Sequence, residues 1–261
     1  MSELIIYTDL DGTFLNHHNY SFQESEESLD LIKLHNIPLV FTTSKTRVEV
    51  ELLQEKVGIC SPFIIENGAA VFFPKKDYSY LKLTEISDYK VLQLGLDYGK
   101  ILNFYQEHRE EYGLWGFSDM TVEEVARHTG LNLELANYAK IREFSEPFLM
   151  PESEKLQQLA TVAEAQGIKI TQGGRFFHLI GENQDKGLAI QQANQIFRKQ
   201  YPIAKTIGLG DSQNDLSLLA AVDVPIIIKR HDGTYLDYPK AKKSSWQGAK
   251  GWNETVLQEL L

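Results

Sequence analysis

Three short apolar runs in this chain each stop at a cluster of small, acidic or hydroxylic residues. Leu4–Thr8 (LIIYT) runs into Asp9-Leu10-Asp11-Gly12-Thr13. Ile37–Thr43 (IPLVFTT) runs into Ser44-Lys45. Lys205–Gly210 (KTIGLG) runs into Asp211-Ser212-Gln213-Asn214-Asp215. A continuous apolar, β-branched run without alternation is the pattern of a strand covered on both faces. Such strands belong to parallel sheets, which need helical crossovers between them. The intervening stretches supply these. Ser21 with Glu24 reads as a capping box opening a helix to about His35. Thr46–Val57 predicts a helix stopped by Gly58, Asp185–Tyr201 a further one, and Asp215–Val222 a last short one. Pro62–Ile65 and Pro225–Lys229 read as additional strands. Glu66-Asn67-Gly68 predicts a hairpin returning through Ala70–Phe73. The alternation defines an α/β fold, a doubly wound and mostly parallel sheet.

The middle of the chain departs from that rhythm. Lys90–Leu96 reads as a strand and Tyr98–Tyr112 as a helix. Thr121 and Glu124 form another capping-box pair, and Ser153–Gln166 predicts a helix closed by Gly167. Ile168–Thr171 and Phe176–Ile180 flank Gln172-Gly173-Gly174-Arg175 as a second hairpin. The expected organisation is a core made of residues 1–83 and 183–261, with an α+β domain, residues 84–182, inserted into it. Asp237–Trp252 is rich in Lys, Ser and Gly and reads equally as a mobile loop or a packed edge.

Charge narrows the partners. The 261 residues carry 36 acidic and 26 basic side chains, a formal net charge of −10. Nucleic-acid binders carry a basic footprint, and this chain has none. The same charge disfavours anionic membrane surfaces, and no apolar run approaches the ~20 residues of a membrane span. The N-terminal MSELIIYTDLDGTFL lacks a leader pattern, so the expected compartment is the cytoplasm. The single cysteine, Cys60, excludes an intramolecular disulfide and reads as a small buried side chain. The expected partner is a small molecule, not nucleic acid or membrane; self-association is left open.

In open α/β sheets, ligands bind beyond the carboxyl ends of the strands, which is where the acidic clusters fall. Asp9 and Asp11, two residues apart on an extended chain, share a side. Carboxylates so close repel and call for a cation. Asp211 and Asp215 add oxygen ligands, and an all-oxygen site suits Mg²⁺. Gly12 lets the backbone turn sharply beside a phosphate. Thr43 offers a hydroxyl to a phosphate oxygen, and Lys186 offers positive charge at a helix start, where anions are favoured. Taken singly, each has a plainer reading: a solvated turn, a helix cap, a strand end, a surface lysine. Their order along the chain, each acidic cluster following a buried strand, favours one shared site.

These segments (DLDGT at Asp9–Thr13, Thr43 after a buried strand, Lys186 before a helix, GDSQND at Gly210–Asp215) resemble the four motifs of the haloacid dehalogenase superfamily of phosphatases, in its order. The resemblance implies a core of that fold with a C2-type cap. It implies Asp9 as nucleophile, Asp11 as general acid and base, and Thr43 and Lys186 on the phosphoryl group. It also implies Mg²⁺ held by Asp9, the backbone carbonyl of Asp11, Asp211 and Asp215. TTSKTR (Thr42–Arg47), ENGAAV (Glu66–Val71), REFSEPF (Arg142–Phe148) and GGRFFHL (Gly173–Leu179) resemble, more narrowly, the mannosyl-3-phosphoglycerate phosphatase family. That implies Mg²⁺-dependent hydrolysis of a glycosyl-3-phosphoglycerate through an aspartyl-phosphate. Many superfamily members have Thr-Gly-Arg where this chain has Thr43-Ser44-Lys45, so Ser44 is the alternative to Thr43 at the phosphate. Substrate-binding candidates are Gly12, Ser44, Lys45, Asn67, Gly174, Arg175, His178 and Asn214, with Arg175 as a carboxylate clamp. The alternatives are a broader sugar-phosphate or sucrose-phosphate-type phosphatase, and a phosphate- or metal-binding protein without turnover.

Overall fold

The computed structural model describes residues 4–151, 153–173 and 175–261; Gly174 lies outside them. The strands are β1 (Leu4–Thr8), β2 (Leu39–Thr42), β3 (Phe63–Ile65), β4 (Ala70–Pro74), β5 (Thr84–Ile86), β6 (Tyr89–Gln93), β7 (Trp115–Gly116), β8 (Glu146–Leu149), β9 (Ile168–Gly173), β10 (Phe176–Gly181), β11 (Lys205–Gly210), β12 (Val224–Lys229) and β13 (Lys242–Gln247). The principal helices are α1 (Glu26–Leu34), α2 (Arg47–Val57), α3 (Lys75–Tyr78), α4 (Tyr98–Tyr112), α5 (Val122–Thr129), α6 (Leu133–Ala139), α7 (Leu156–Glu164), α8 (Lys186–Phe197), α9 (Leu216–Ala220) and α10 (Gly248–Leu260).

The strands form two sheets. The larger runs β13-β12-β11-β1-β2-β3-β4-β6-β5. Its pairings are parallel from β13 to β3 and antiparallel from there to β5. Side chains alternate across it with the period of two that a pleated strand imposes. Ile6 packs on one face with Leu29, Val50 and Trp252 of α1, α2 and α10. Ile5 and Tyr7 pack on the other with Ala189, Ile190 and Leu218 of α8 and α9. The sheet is doubly wound as expected, and each such fully buried large side chain contributes about 1.5–3 kcal/mol. The smaller sheet runs β7-β8-β10-β9 and is antiparallel. It packs Phe148 and Leu179 against Phe104 of α4 and Leu159 of α7. Phe176, at the start of β10, joins a separate cluster with Phe117, Val125 of α5 and Ala136 of α6.

Several local expectations are met at atomic detail. Thr46 and Glu49 form a capping box on α2, which ends at a left-handed Gly58; Thr121 and Glu124 form one on α5. Others need correction. Ser21 does not cap α1: its hydroxyl accepts from Gln23 N, a 3₁₀ turn over Gln23–Ser25 intervenes, and Glu24 takes a hydrogen bond from Asn16. Cys60 is exposed, not buried, because it lies in the connection after the Gly58 cap and before β3. Asp237–Trp252 is in part a packed edge: β13 pairs with β12, and buried Trp252 donates to Thr8 Oγ1 at 3.0 Å. Finally, β5 and β6 hydrogen-bond into the larger sheet through β4. Strand pairing thus places β5 and β6, which follow residue 83, in the larger sheet.

Candidate active site

The register explains why distant clusters meet. Thr8, the last residue of β1, lies beside Leu209 of β11 and Phe41 of β2. The three strands end level, and Asp9 N donates to Leu209 O at 2.9 Å. The loops after them share one edge of the sheet. Gly12 adopts φ +79°, and a Cβ there would sit 2.9 Å from Asp211 Oδ2. A side chain at that position would be strained by the left-handed backbone and would crowd the Asp211 carboxylate. Thr13 Oγ1 donates to Asp211 Oδ1 at 3.0 Å, and Arg230 Nε donates to Asp211 O at 2.7 Å.

Lys186 reaches the same place from α8. Asp185 caps that helix by accepting from Leu188 N. The Asn67-Gly68 hairpin tip packs against the helix start, where a Cβ on Gly68 would lie 2.1 Å from Asp185 O. Lys186 Nζ donates to Asp9 Oδ1 and to Asp215 Oδ1, each at 2.6 Å. The second oxygen of Asp215 accepts from Asp211 N, Ser212 N and Ser212 Oγ. Asp215 therefore ties the lysine to the 210–212 loop.

Carboxylate oxygens of Asp9, Asp211 and Asp215 lie within 4.8 Å of one another, with one ammonium between them. Burial, reinforced by the charge of Asp215, pushes Asp9 up to about 7. Burial, then Asp215 and Asp9, pushes Asp211 well above the carboxylate range. Burial pulls Lys186 down, but Asp215 and Asp9 outweigh it and hold the ammonium above the usual lysine range. Two raised carboxylates beside a satisfied lysine mark an excess of negative charge. An all-oxygen donor set with that excess fits a hard divalent cation such as Mg²⁺. Asp11 is outside this trio: its carboxylate turns to Lys45, Oδ2 to Nζ 3.0 Å.

A cavity of about 480 Å³ lies over the cluster, lined by Asp9, Asp11 and Asp211 below and by Arg142, Gln172 and His178 from the smaller sheet's side. Ser44, Lys45, Arg175 and Asn214 also line it. Thr43 is fully buried, and its hydroxyl oxygen accepts from Lys45 N. Asn67 is buried one shell back, its Oδ1 accepting from Asn214 Nδ2 at 3.0 Å. Arg175 is exposed, while His178 is buried.

Two residues not singled out from sequence join the halves. Glu66, fully buried at φ +45°, accepts from Glu143 N, Phe144 N and Ser145 Oγ. Burial pushes its carboxyl up, while Arg142 and these donors pull it back. Arg142 Nη2 donates to Ser44 O at 3.0 Å and Ser145 Oγ at 2.6 Å. Arg47 with Glu143, and Thr46 Oγ1 with Tyr138 O, add further ties.

The chain belongs to the haloacid dehalogenase-like hydrolases, whose family profile matches residues 6–233. Within that family it is a phosphoric monoester hydrolase. It is 46% identical to a glucosyl-3-phosphoglycerate/mannosyl-3-phosphoglycerate phosphatase of Persephonella marina, over 98% of this chain and 97% of that one. It is 40% identical to the protein of that description from Methanococcoides burtonii, over 97% and 96%. Among solved structures, a Thermoplasma acidophilum protein superposes with a TM-score of 0.73 at 17% identity, covering 100% of both chains. The sucrose-phosphatase of Synechocystis, solved with sucrose and phosphate, gives 0.64 at 14%, covering 99% and 98%. These two likenesses concern the fold alone.

Proposed function

We propose that the protein hydrolyses the phosphate ester of a glucosyl- or mannosyl-3-phosphoglycerate, releasing phosphate and the glycosylglycerate. One observation carries the chemistry: a buried Asp9 carboxylate, fixed by Lys186 beside Asp211 and Asp215, lining a cavity between the two sheets. The substrate class rests on the two relatives of 46% and 40% identity.

In this reading Asp9 attacks phosphorus. An O–P bond to its carboxylate forms, the P–O ester bond breaks, and Asp11 gives its proton to the departing alkoxide. Water then attacks the aspartyl-phosphate, Asp11 takes the proton, and phosphate leaves with Asp9 restored. Asp9, the backbone carbonyl of Asp11 and Asp211 are the residues that would hold Mg²⁺, with Asp215 directly or through water. Bound there, the ion offsets the repulsion between an anionic nucleophile and an anionic ester. Lys186 steadies the nucleophile and faces the phosphoryl group. Thr43 or Ser44 supplies a hydroxyl to it; Ser44 is the one that borders the cavity. Lys45, Arg175, His178 and Asn214 complete the substrate's surroundings, with Asn67 behind Asn214 and Gly12 shaping the turn beside Asp211.

The two sheets act as core and cap. Residues 1–83 and 183–261 with an insert at 84–182 describe this division, with the first junction shifted to the segment after Gln93. Opening there admits substrate, and closure excludes water. We assign the enzyme to the cytoplasm, acting on a small molecule; among the described residues no helix is long and apolar enough to cross a membrane.

Phosphate release from a panel of glucosyl- and mannosyl-3-phosphoglycerate, hexose phosphates and sucrose phosphate tests the assignment. The phosphoglycerate esters are expected to lead in kcat/KM, and equal rates across the panel overturn it. Chelation should lower the rate to below about 1% of its Mg²⁺-replete value, restored on adding Mg²⁺. Asp11→Asn should slow turnover by about 10²–10⁴-fold, because the amide cannot pass a proton to the leaving group or take one from water. Steady-state rates on the preferred ester decide it.

A further inference from the structure

Among the described residues, four buried side-chain atoms lack a hydrogen-bond partner: Asp11 Oδ1, Asn67 Nδ2, Arg142 Nε and His178 Nδ1. Buried polar groups are nearly always paired, so each exception needs a reason. Asp11, Arg142 and His178 all line the one cavity, and Asn67 bonds to Asn214, which lines it too. Three of the four residues thus line a single space, and the fourth touches it through Asn214. A ligand rich in acceptors and hydroxyls would satisfy them.

The phosphoryl chemistry accounts for Asp11 but not for Arg142. That side chain is 3% exposed, and its Nε lies 3.3 Å from Glu66 Oε2 without the alignment of a hydrogen bond. Glu66 already accepts three donors from residues 143–145. Arg142 Nη2 is held by Ser44 O and Ser145 Oγ. Nη1 makes no hydrogen bond among the described residues. The guanidinium is pinned at one end and open at the other, beside the cavity. A planar fork fixed in this way suits a carboxylate better than a flexible ammonium does.

Arg175, the residue expected from sequence to play this part, is exposed at the rim. A solvated cation there discriminates weakly. His178, in contrast, stays neutral beside Arg142. Burial, then the charges of Arg142 and Lys186, push its imidazole down to about 3.

We propose that Arg142 binds the glycerate carboxylate of the substrate, and that Glu66 is the positioning residue that holds its guanidinium. This rests on the phosphoglycerate-ester reading above and assigns the group that reads the glycerate.

The test compares the natural acid with its reduced analogue, in which the carboxylate is a CH₂OH group and the phosphate ester is unchanged. Wild-type enzyme is expected to favour the acid in kcat/KM by roughly 10–100-fold, the scale of one hydrogen bond to a charged group. Arg142→Ala should bring that ratio to within about threefold of one, chiefly through KM for the acid. Arg142→Lys should restore part of it, and Glu66→Gln should raise KM for the acid more than it lowers kcat. The wild-type ratio is informative even if a variant does not fold: a wild-type enzyme indifferent to the carboxylate overturns the proposal. An undiminished ratio in Arg142→Ala, or a collapse confined to Arg175→Ala, also overturns it. Wild-type enzyme that cleaves other sugar phosphates but neither of these compounds defeats the substrate reading, and the carboxylate assignment with it.

Discussion

Asp9→Asn should abolish turnover, by at least about 10⁴-fold, the order lost when a covalent nucleophile is removed. An amide oxygen is a poor nucleophile toward phosphorus, and its departure from an acyl-phosphate-like adduct has no counterpart in the wild-type path. The fold should persist, because the change relieves one of three crowded negative charges. Two measurements check it. Phosphate release at saturating substrate should vanish, and acid quenching during turnover should trap labelled phosphate on the wild-type chain but not on the variant. A variant working within tenfold of wild type would show that another group attacks phosphorus.

Lys186→Met should cost both activity and stability. The side chain is 1% exposed, and its ammonium bridges Asp9 and Asp215 at 2.6 Å each. Removing one partner of a buried ion pair leaves uncompensated charge, typically at a cost of about 3–5 kcal/mol. For a chain of this size that corresponds to a Tm lower by roughly 6–20 °C. The loss should depend on pH in a defined direction. Even with the lysine present, Asp9 is raised from 3.8 to about 7. A carboxylate raised in the folded state favours folding fully below its unfolded value and progressively less as pH rises through its folded value. Without the lysine these groups rise further. The stability gap between variant and wild type should therefore be small near pH 4 and widen through pH 7. Thermal unfolding in chelator across this range measures it. A gap that is independent of pH would mean that packing of the lysine stem, not charge, is what the site loses.

The core and the carboxylate cluster were legible because their determinants are local. A buried strand ending in Asp9-Leu10-Asp11-Gly12 announces both its position in the sheet and the edge where its carboxylates emerge. Lys186 could be placed because it opens a helix, and Asp215 because it reads as an acid in the first turn of another. The parallel register then brings them together without further information. Glu66 and Arg142 were opaque for the opposite reason. A glutamate before Asn-Gly reads as a turn residue. Its burial depends on backbone donors 77 and 78 positions away, which no local periodicity records. Arg142 stands within a stretch that carries the narrower resemblance, yet nothing in its neighbours marks it as buried. Cys60 and Ser21 failed in a smaller way. Average burial preference does not see that Cys60 falls in a connection, and the Ser21-Glu24 spacing is the same whether the chain enters a helix or a 3₁₀ turn first.

The bonds from Glu66 and from the Ser44 carbonyl to residues 142–145 also bear on modularity. A chimaera that exchanged only the inserted segment for that of another phosphatase would leave a dehydrated carboxylate with no donors on the recipient side. Altering selectivity by grafting therefore means transplanting the hairpin tip along with the roof. The junctions of a viable swap lie inside the larger sheet's own loops, not at the crossing points of the chain.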